Sequence, residues 1–261
     1  MHSYIILGPA GTGGDSLKGI QEIYDLGLGA VEIEFTYGVR MSNELAKKCG
    51  ELAKKLGMHL SVHAPYYVNL ASEDKKKIEA SKKRILESCE RGNRLNARYI
   101  VFHPGYYGKH GKEECYQIIK KAIIEMQEAI RKKGWKTVLA PETTGKQSQF
   151  GDLDELLRLK KETHCELCVD FAHLKAKYQG KINYAEIFEK LHKAGIKHIH
   201  AHFSGIEFTE KGEKRHIITS EHDIKELLEW LKKSKIDCTI INESPDPIGD
   251  SLKSKRILER L

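Results

Sequence analysis

Histidines and carboxylates stand where short apolar runs of this chain end. Val62-His63, Phe102-His103, Pro141-Glu142, Val169-Asp170, His202-Phe203 and Asn242-Glu243 are such endings. His63 is followed by Ala-Pro and His103 by Pro-Gly, so both imidazoles precede a proline turn. Asp170-Phe-Ala-His173 places a carboxylate and an imidazole three residues apart at another exit. In His198-Ile-His-Ala-His202 the three histidines share one strand face, and His202 is nearest the carboxyl end. A carboxylate directly after a buried run, such as Glu142 or Glu243, needs a compensating charge. Imidazole nitrogens with carboxylate oxygens suit Zn²⁺ or a similar first-row divalent ion. These residues outnumber the ligands of one ion, and a carboxylate such as Glu142 can be shared, so the pattern predicts a cluster of metals.

Such residues meet only if the elements bearing them meet. Strands are expected at Tyr4–Leu7, Ala30–Phe35, His59–His63, Tyr99–His103, Thr137–Glu142, Glu166–Asp170, His198–His202 and Thr239–Glu243. These are short apolar runs of the kind buried in parallel sheets. Helical periodicity is expected over Ser16–Leu26, Asn43–Leu56, Asp74–Leu95, Glu114–Lys133, Asp152–Glu162, Tyr184–Ala194 and Asp223–Ser234, with a short terminal helix over Leu252–Leu261. Gly27, Gly57, Gly134 and Gly195 follow helix ends, where a left-handed residue is wanted. Eight strands alternating with helices in 261 residues predict an α/β chain, a (β/α)₈ TIM barrel, as one domain over residues 1–261. A barrel collects strand ends at one mouth, whereas an open doubly wound sheet concentrates its site at one switch point.

The net charge of +7 favours an anionic partner without requiring one. Tyr4–Leu7 is too short for a leader or a membrane span, so no membrane partner is expected. The six cysteines form no paired framework, which fits a reducing cytoplasm, and Cys165-Glu-Leu-Cys168 reads as two buried structural thiols.

His63-Ala-Pro-Tyr66 with Asn69-Leu-Ala, His103-Pro-Gly, Pro141-Glu-Thr-Thr-Gly145, Val169-Asp-Phe-Ala-His173, Ala201-His-Phe203 and Asn242-Glu-Ser-Pro245 resemble, in order, the motifs of the endonuclease IV family. These are zinc-dependent AP endonucleases on the xylose isomerase-like TIM barrel. The resemblance implies three zinc ions, with Mn²⁺ as a further candidate metal. His63, His103 and Glu142 would hold the first. Glu142 would bridge to a second, completed by Asp170, His202 and Glu243. His173 and His216 would hold the third. The family supplies that ion from an Asp-x-His motif, but Lys214 stands where the aspartate is expected, in a segment about one residue longer. Either Glu213 serves instead, or the third site is weak, empty or takes another cation. Phe35-Thr-Tyr-Gly-Val-Arg40 resembles the family's first recognition loop, with Arg40 in the inserting position, and Tyr66 resembles the aromatic of the next loop, so both would contact DNA. The implied reaction is hydrolysis 5′ to an abasic site in double-stranded DNA, leaving a 3′-hydroxyl and a 5′-deoxyribose phosphate, by a monomer in the cytoplasm, with Glu142 as the catalytic residue that would orient the nucleophilic water or take its proton. Two alternatives use the same residues: a sugar isomerase or epimerase with one divalent metal around Glu142, Asp170, His202 and Glu243, and a non-catalytic protein that binds abasic DNA.

Overall fold

The computed structural model describes residues 4–261. Short apolar runs form eight parallel strands: β1 (Ile5–Pro9), β2 (Ala30–Glu34), β3 (His59–His63), β4 (Tyr99–Phe102), β5 (Val138–Pro141), β6 (Cys168–Asp170), β7 (His198–Phe203) and β8 (Asp237–Asn242). Each lies within two residues of its expected bounds. The expected ends shorten at the chemical residues: His103, Glu142 and Glu243 fall just past the ladder. A proline explains the first of these ends, because Pro104 has no N–H to continue the pairing after His103. Glu142 donates its N–H to the Phe102 carbonyl at 3.0 Å and Glu243 donates to Phe203 at 3.1 Å, so each residue is pinned although it lies outside its strand.

The chain divides into two compact units. The first takes the chain up to Glu32, the segment 145–147 and residues 168–261. Its sheet has the order β1-β8-β7-β6, and the register pairs Cys168 with His200 and Asp170 with His202. Parallel register partners share a face, so these side chains form two successive layers. The second unit takes residues 33–144 and 148–167 and carries the order β2-β3-β4-β5. Strands in both sheets are buried on both faces, as helix-covered parallel sheets are.

The helices follow their periodicity to within a few residues. Lys112–Lys132 buries Cys115, Tyr116, Ile119, Ala122, Ile123, Met126 and Ile130, one apolar stripe on a charged cylinder. Leu153–Thr163 opens on a capping box between Asp152 and Glu155. Gly57 closes Asn43–Leu56 at φ 69°, and Gly27, Gly134 and Gly195 adopt the same left-handed conformation. The last helix runs earlier than expected, over Pro247–Leu258, because Asp246 caps it and proline suits a first turn.

One helix and two antiparallel strand pairs escape the periodicity. Helix Phe171–Lys177 buries Phe171, Ala172, His173, Leu174, Ala176 and Lys177, so it has no polar face to give a helical period. Gly205–Thr209 pairs antiparallel with Gly212–Ile217, and Gly105–Tyr106 with Gln149–Phe150. No described helix is long and apolar enough to cross a membrane.

Candidate metal centre

In the second unit, β3 and the ends of β4 and β5 bring His63, His103 and Glu142 together. The Nε2 atoms of both imidazoles converge on one carboxylate oxygen, Glu142 Oε2, at 3.2 Å for His63 and 3.0 Å for His103. Glu142 and His63 are buried, and His103 is slightly exposed. His63 Nδ1 lies 2.7 Å from the Ala64 carbonyl oxygen, which only accepts, so that nitrogen carries a proton. In the neutral ring Nε2 is then a lone pair aimed at an anionic oxygen, which is repulsive unless a proton or cation stands between them.

The first unit contains a second convergence. Asp170 caps helix Phe171–Lys177 by accepting from the His173 N–H at 2.7 Å. Its other oxygen lies 3.2 Å from His173 Nδ1. His216 Nδ1 lies 2.7 Å from Ser204 Oγ, whose hydroxyl donates to the Gly205 carbonyl and therefore accepts from His216. The Ser204 bond places the His216 proton on Nδ1, the carboxylate charge beside His173 Nδ1 favours the same there, and the two Nε2 atoms face each other at 3.2 Å. Glu213 Oε2 stands 3.5 Å from His173 Nε2, and its Oε1 stands 3.9 Å from His216 Nε2. Two imidazole lone pairs and a carboxylate sharing one space fit a divalent cation.

The hairpin explains how Glu213 arrives there. In a regular strand, residues 213 and 216 point to opposite faces. Here the register slips: Glu207 pairs with Arg215 but Phe208 pairs with Glu213, leaving Lys214 as the extra residue of a β-bulge. A bulge inserts one residue and reverses the alternation, so Glu213 and His216 share a face. The extra residue seen in the sequence is thus absorbed at Lys214. Lys214 itself turns outward, 2.7 Å from Glu207, which also holds Arg215 at 2.6 Å. Gly145 permits the close approach, because a Cβ there would lie 2.6 Å from Glu213 Cβ and 3.1 Å from His173 Cδ2.

A third set, also in the first unit, includes a residue not anticipated from sequence. His202 Nδ1 lies 3.2 Å from Glu243 Oε1, while its Nε2 lies 2.7 Å from Glu32 Oε1. Glu32 Oε2 also contacts His200 Nε2 at 2.9 Å. Burial alone would push the Glu32 carboxyl up, but the charges of and hydrogen bonds from His202 and His200 outweigh it and hold the group well below its usual range. Glu32 sits in Ala-Val-Glu-Ile-Glu, where a carboxylate within an apolar strand is the only signal that could have marked it. His198 Nε2 lies 3.1 Å from Thr239 Oγ1, so His198 and His200 both find partners on other strands. Cys168 has donor-atom distances to His200 and His202 within 4.8 Å. Both it and Cys165 are buried free thiols.

Of the predicted DNA contacts, Tyr66 is half exposed, its ring 5.3 Å from that of His63 and 6.0 Å from that of His103. Tyr37 and Tyr67 are also exposed, with ring centroids 6.4 Å apart. Arg40 is exposed in the loop between β2 and Asn43–Leu56. Glu142 belongs to the second unit, and Asp170, His202 and Glu243 belong to the first.

The description xylose isomerase-like TIM barrel matches residues 20–261. An uncharacterized protein of Methanocaldococcus jannaschii is 38% identical over 92% of each chain. A probable endonuclease 4 of Mycoplasma mobile is 31% identical over 44% of this chain and 41% of its own length. Among solved structures, endonuclease IV of Thermus thermophilus superposes with TM-score 0.74 and 23% identity, covering 99% of this chain and 100% of that one. A 3-keto-D-glucoside 4-epimerase of E. coli gives TM-score 0.70 at 14% identity, covering 99% and 100%. At such identities the two structures speak for the fold alone. With the family match extending over nearly its whole length, the chain belongs to the xylose isomerase-like TIM barrel family, and endonuclease 4 proteins are among its relatives.

Proposed function

We propose that the chain is a metal-dependent AP endonuclease that hydrolyses the phosphodiester 5′ to an abasic nucleotide in double-stranded DNA. One observation carries this reading: imidazole and carboxylate donors converge separately at His63–His103–Glu142 and at His173–His216–Glu213. These sets share no residue, so the chain has donors for more than one ion. We take Glu213 to replace the aspartate that the family resemblance leads one to expect beside His216. Bound zinc, or manganese in its place, would offset phosphodiester charge, acidify water and stabilise the leaving oxygen.

The chain's residues divide the remaining work. Glu142 orients the attacking water or accepts its proton. The Nδ1 protons of His63 and His216 are committed to Ala64 and Ser204, which keeps each Nε2 as the outward donor. Arg40, in the inserting position, and Tyr66, on the next loop, contact the distorted duplex, where loop side chains fill the gap left by the flipped abasic nucleotide.

The test is incubation with a duplex carrying one tetrahydrofuran abasic analogue, with and without chelator. This analogue cannot undergo β-elimination, so a cut reports hydrolysis. Absence of product with every divalent metal refutes the proposal, and so does near-normal turnover by Glu142→Gln. A sugar epimerase on the same barrel would need one ion. Metal content near one per chain would favour that enzyme, and two or three would favour the nuclease.

A further inference from the structure

A carboxylate at the centre of a protein is costly unless its partners are well placed, and an apolar residue of similar volume often serves stability as well. Glu32 is fully buried on β2, and its two oxygens are divided between His200 Nε2 at 2.9 Å and His202 Nε2 at 2.7 Å. A carboxylate at ordinary pH only accepts, so the His200 Nε2 bonded to it carries its proton, and the negative charge beside His202 Nε2 favours a proton on that nitrogen as well. For His202 this leaves Nδ1 as the donor nitrogen, and that atom faces Glu243 Oε1 at 3.2 Å. His200, one layer deeper on the same strand, occupies the other Glu32 oxygen and keeps the carboxylate from turning toward the ligands. All four residues lie in the first unit.

We propose that Glu32 is a positioning residue: it fixes the His202 ring as the Nε2–H form and so presents Nδ1, beside Glu243, to a divalent ion, with His200 locking the carboxylate in place. This rests on the metal reading above and adds a carboxylate–histidine–metal relay to it. Such outer partners raise the basicity of the ligand and hold its orientation, and their loss typically weakens metal binding about 10- to 100-fold.

The experiment uses the full chain and zinc alone. Zinc affinity is measured by competition with a chromophoric chelator, and the ring protonation of the histidines by long-range ¹H–¹⁵N spectra of the zinc-loaded protein. Glu32→Ala is expected to weaken one class of zinc about 10- to 100-fold while leaving the ion at His173 and His216 unchanged. In the wild type the His202 proton is expected on Nε2. If Glu32→Ala does not fold, Glu32→Gln replaces it. Its amide accepts from one ring and donates to the other, so either His200 or His202 should move its proton to Nδ1. A merely structural Glu32 would lower thermal stability without selecting one class of zinc or moving a ring proton. Unchanged zinc affinity in a folded variant, or a His202 Nε2 without its proton in the wild type, overturns the proposal. A wild type that binds zinc but leaves the abasic duplex whole removes the nuclease and leaves this role standing.

Discussion

Replacing Glu213 by glutamine tests whether the bulged hairpin supplies a metal ligand. The carboxylate lies 3.5 Å from His173 Nε2 and 3.9 Å from His216 Nε2. Two unit charges 4 Å apart attract by about 1 kcal/mol in water and about 4 kcal/mol near a protein surface, and a divalent ion doubles both figures. The Glu213 and His216 side chains are 16% and 24% exposed, so solvent screens the site and the lower figure is the safer one. A loss of about 2 kcal/mol corresponds to about 30-fold in affinity. Glu213→Gln keeps the shape and removes the charge, so it should weaken one zinc by at least about 30-fold and spare the others. Elemental analysis after dialysis against buffered zinc, followed by chelator competition, measures both. Deleting Lys214 is the companion experiment. Without the bulge, Glu213 and His216 become next-but-one neighbours, which share a face in a regular strand, so zinc content should survive. Unaltered zinc affinity in Glu213→Gln, or loss of this zinc on deleting Lys214, would refute the reasoning.

Gly145→Ala places a methyl group 2.6 Å from Glu213 Cβ. It should cost about 1–3 kcal/mol in urea unfolding and release the zinc at His173 and His216. Asp250 accepts from the Thr219 N–H and the Lys253 ammonium, each at 2.6 Å. Asp250→Asn should therefore destabilise the fold by about 1–3 kcal/mol. Burial raises the Asp250 carboxyl, but Lys253 and the Thr219 N–H outweigh it and leave the group below its ordinary value. The stabilisation is thus complete above the unfolded pKa near 4 and disappears as pH falls through the depressed folded value; acid unfolding of the wild type and Asp250→Asn should converge at low pH. Tyr66→Ala should weaken binding to an abasic duplex by about 1–3 kcal/mol, read by fluorescence anisotropy, with metal content intact.

Much of this centre was written locally. Proline turns after His63 and His103, and carboxylates directly after the β5 and β8 runs, mark candidate ligands because an apolar run that ends in a charge needs a partner nearby. The strands and amphipathic helices were legible for a similar reason, since burial imposes a period on the residues that suffer it. Gly27, Gly57, Gly134 and Gly195 marked helix ends because a left-handed residue favours glycine wherever it occurs. Helix Phe171–Lys177 was not legible, because burial on every side erases the period.

What tertiary structure decided was pairing and direction. A sequence that reads Gly-Glu-Lys-Arg-His offers one carboxylate near His216, yet the Asp-x-His spacing points to Lys214's position instead. Only the register slip against Glu207 and Phe208 turns Lys214 outward and Glu213 toward His173. Glu32 is 168 residues from His200, so nothing local could join them. Composition and periodicity settle which groups are buried, because hydrophobicity is a property of single residues; which nitrogen of a buried imidazole meets which oxygen depends on strands brought side by side from distant parts of the chain.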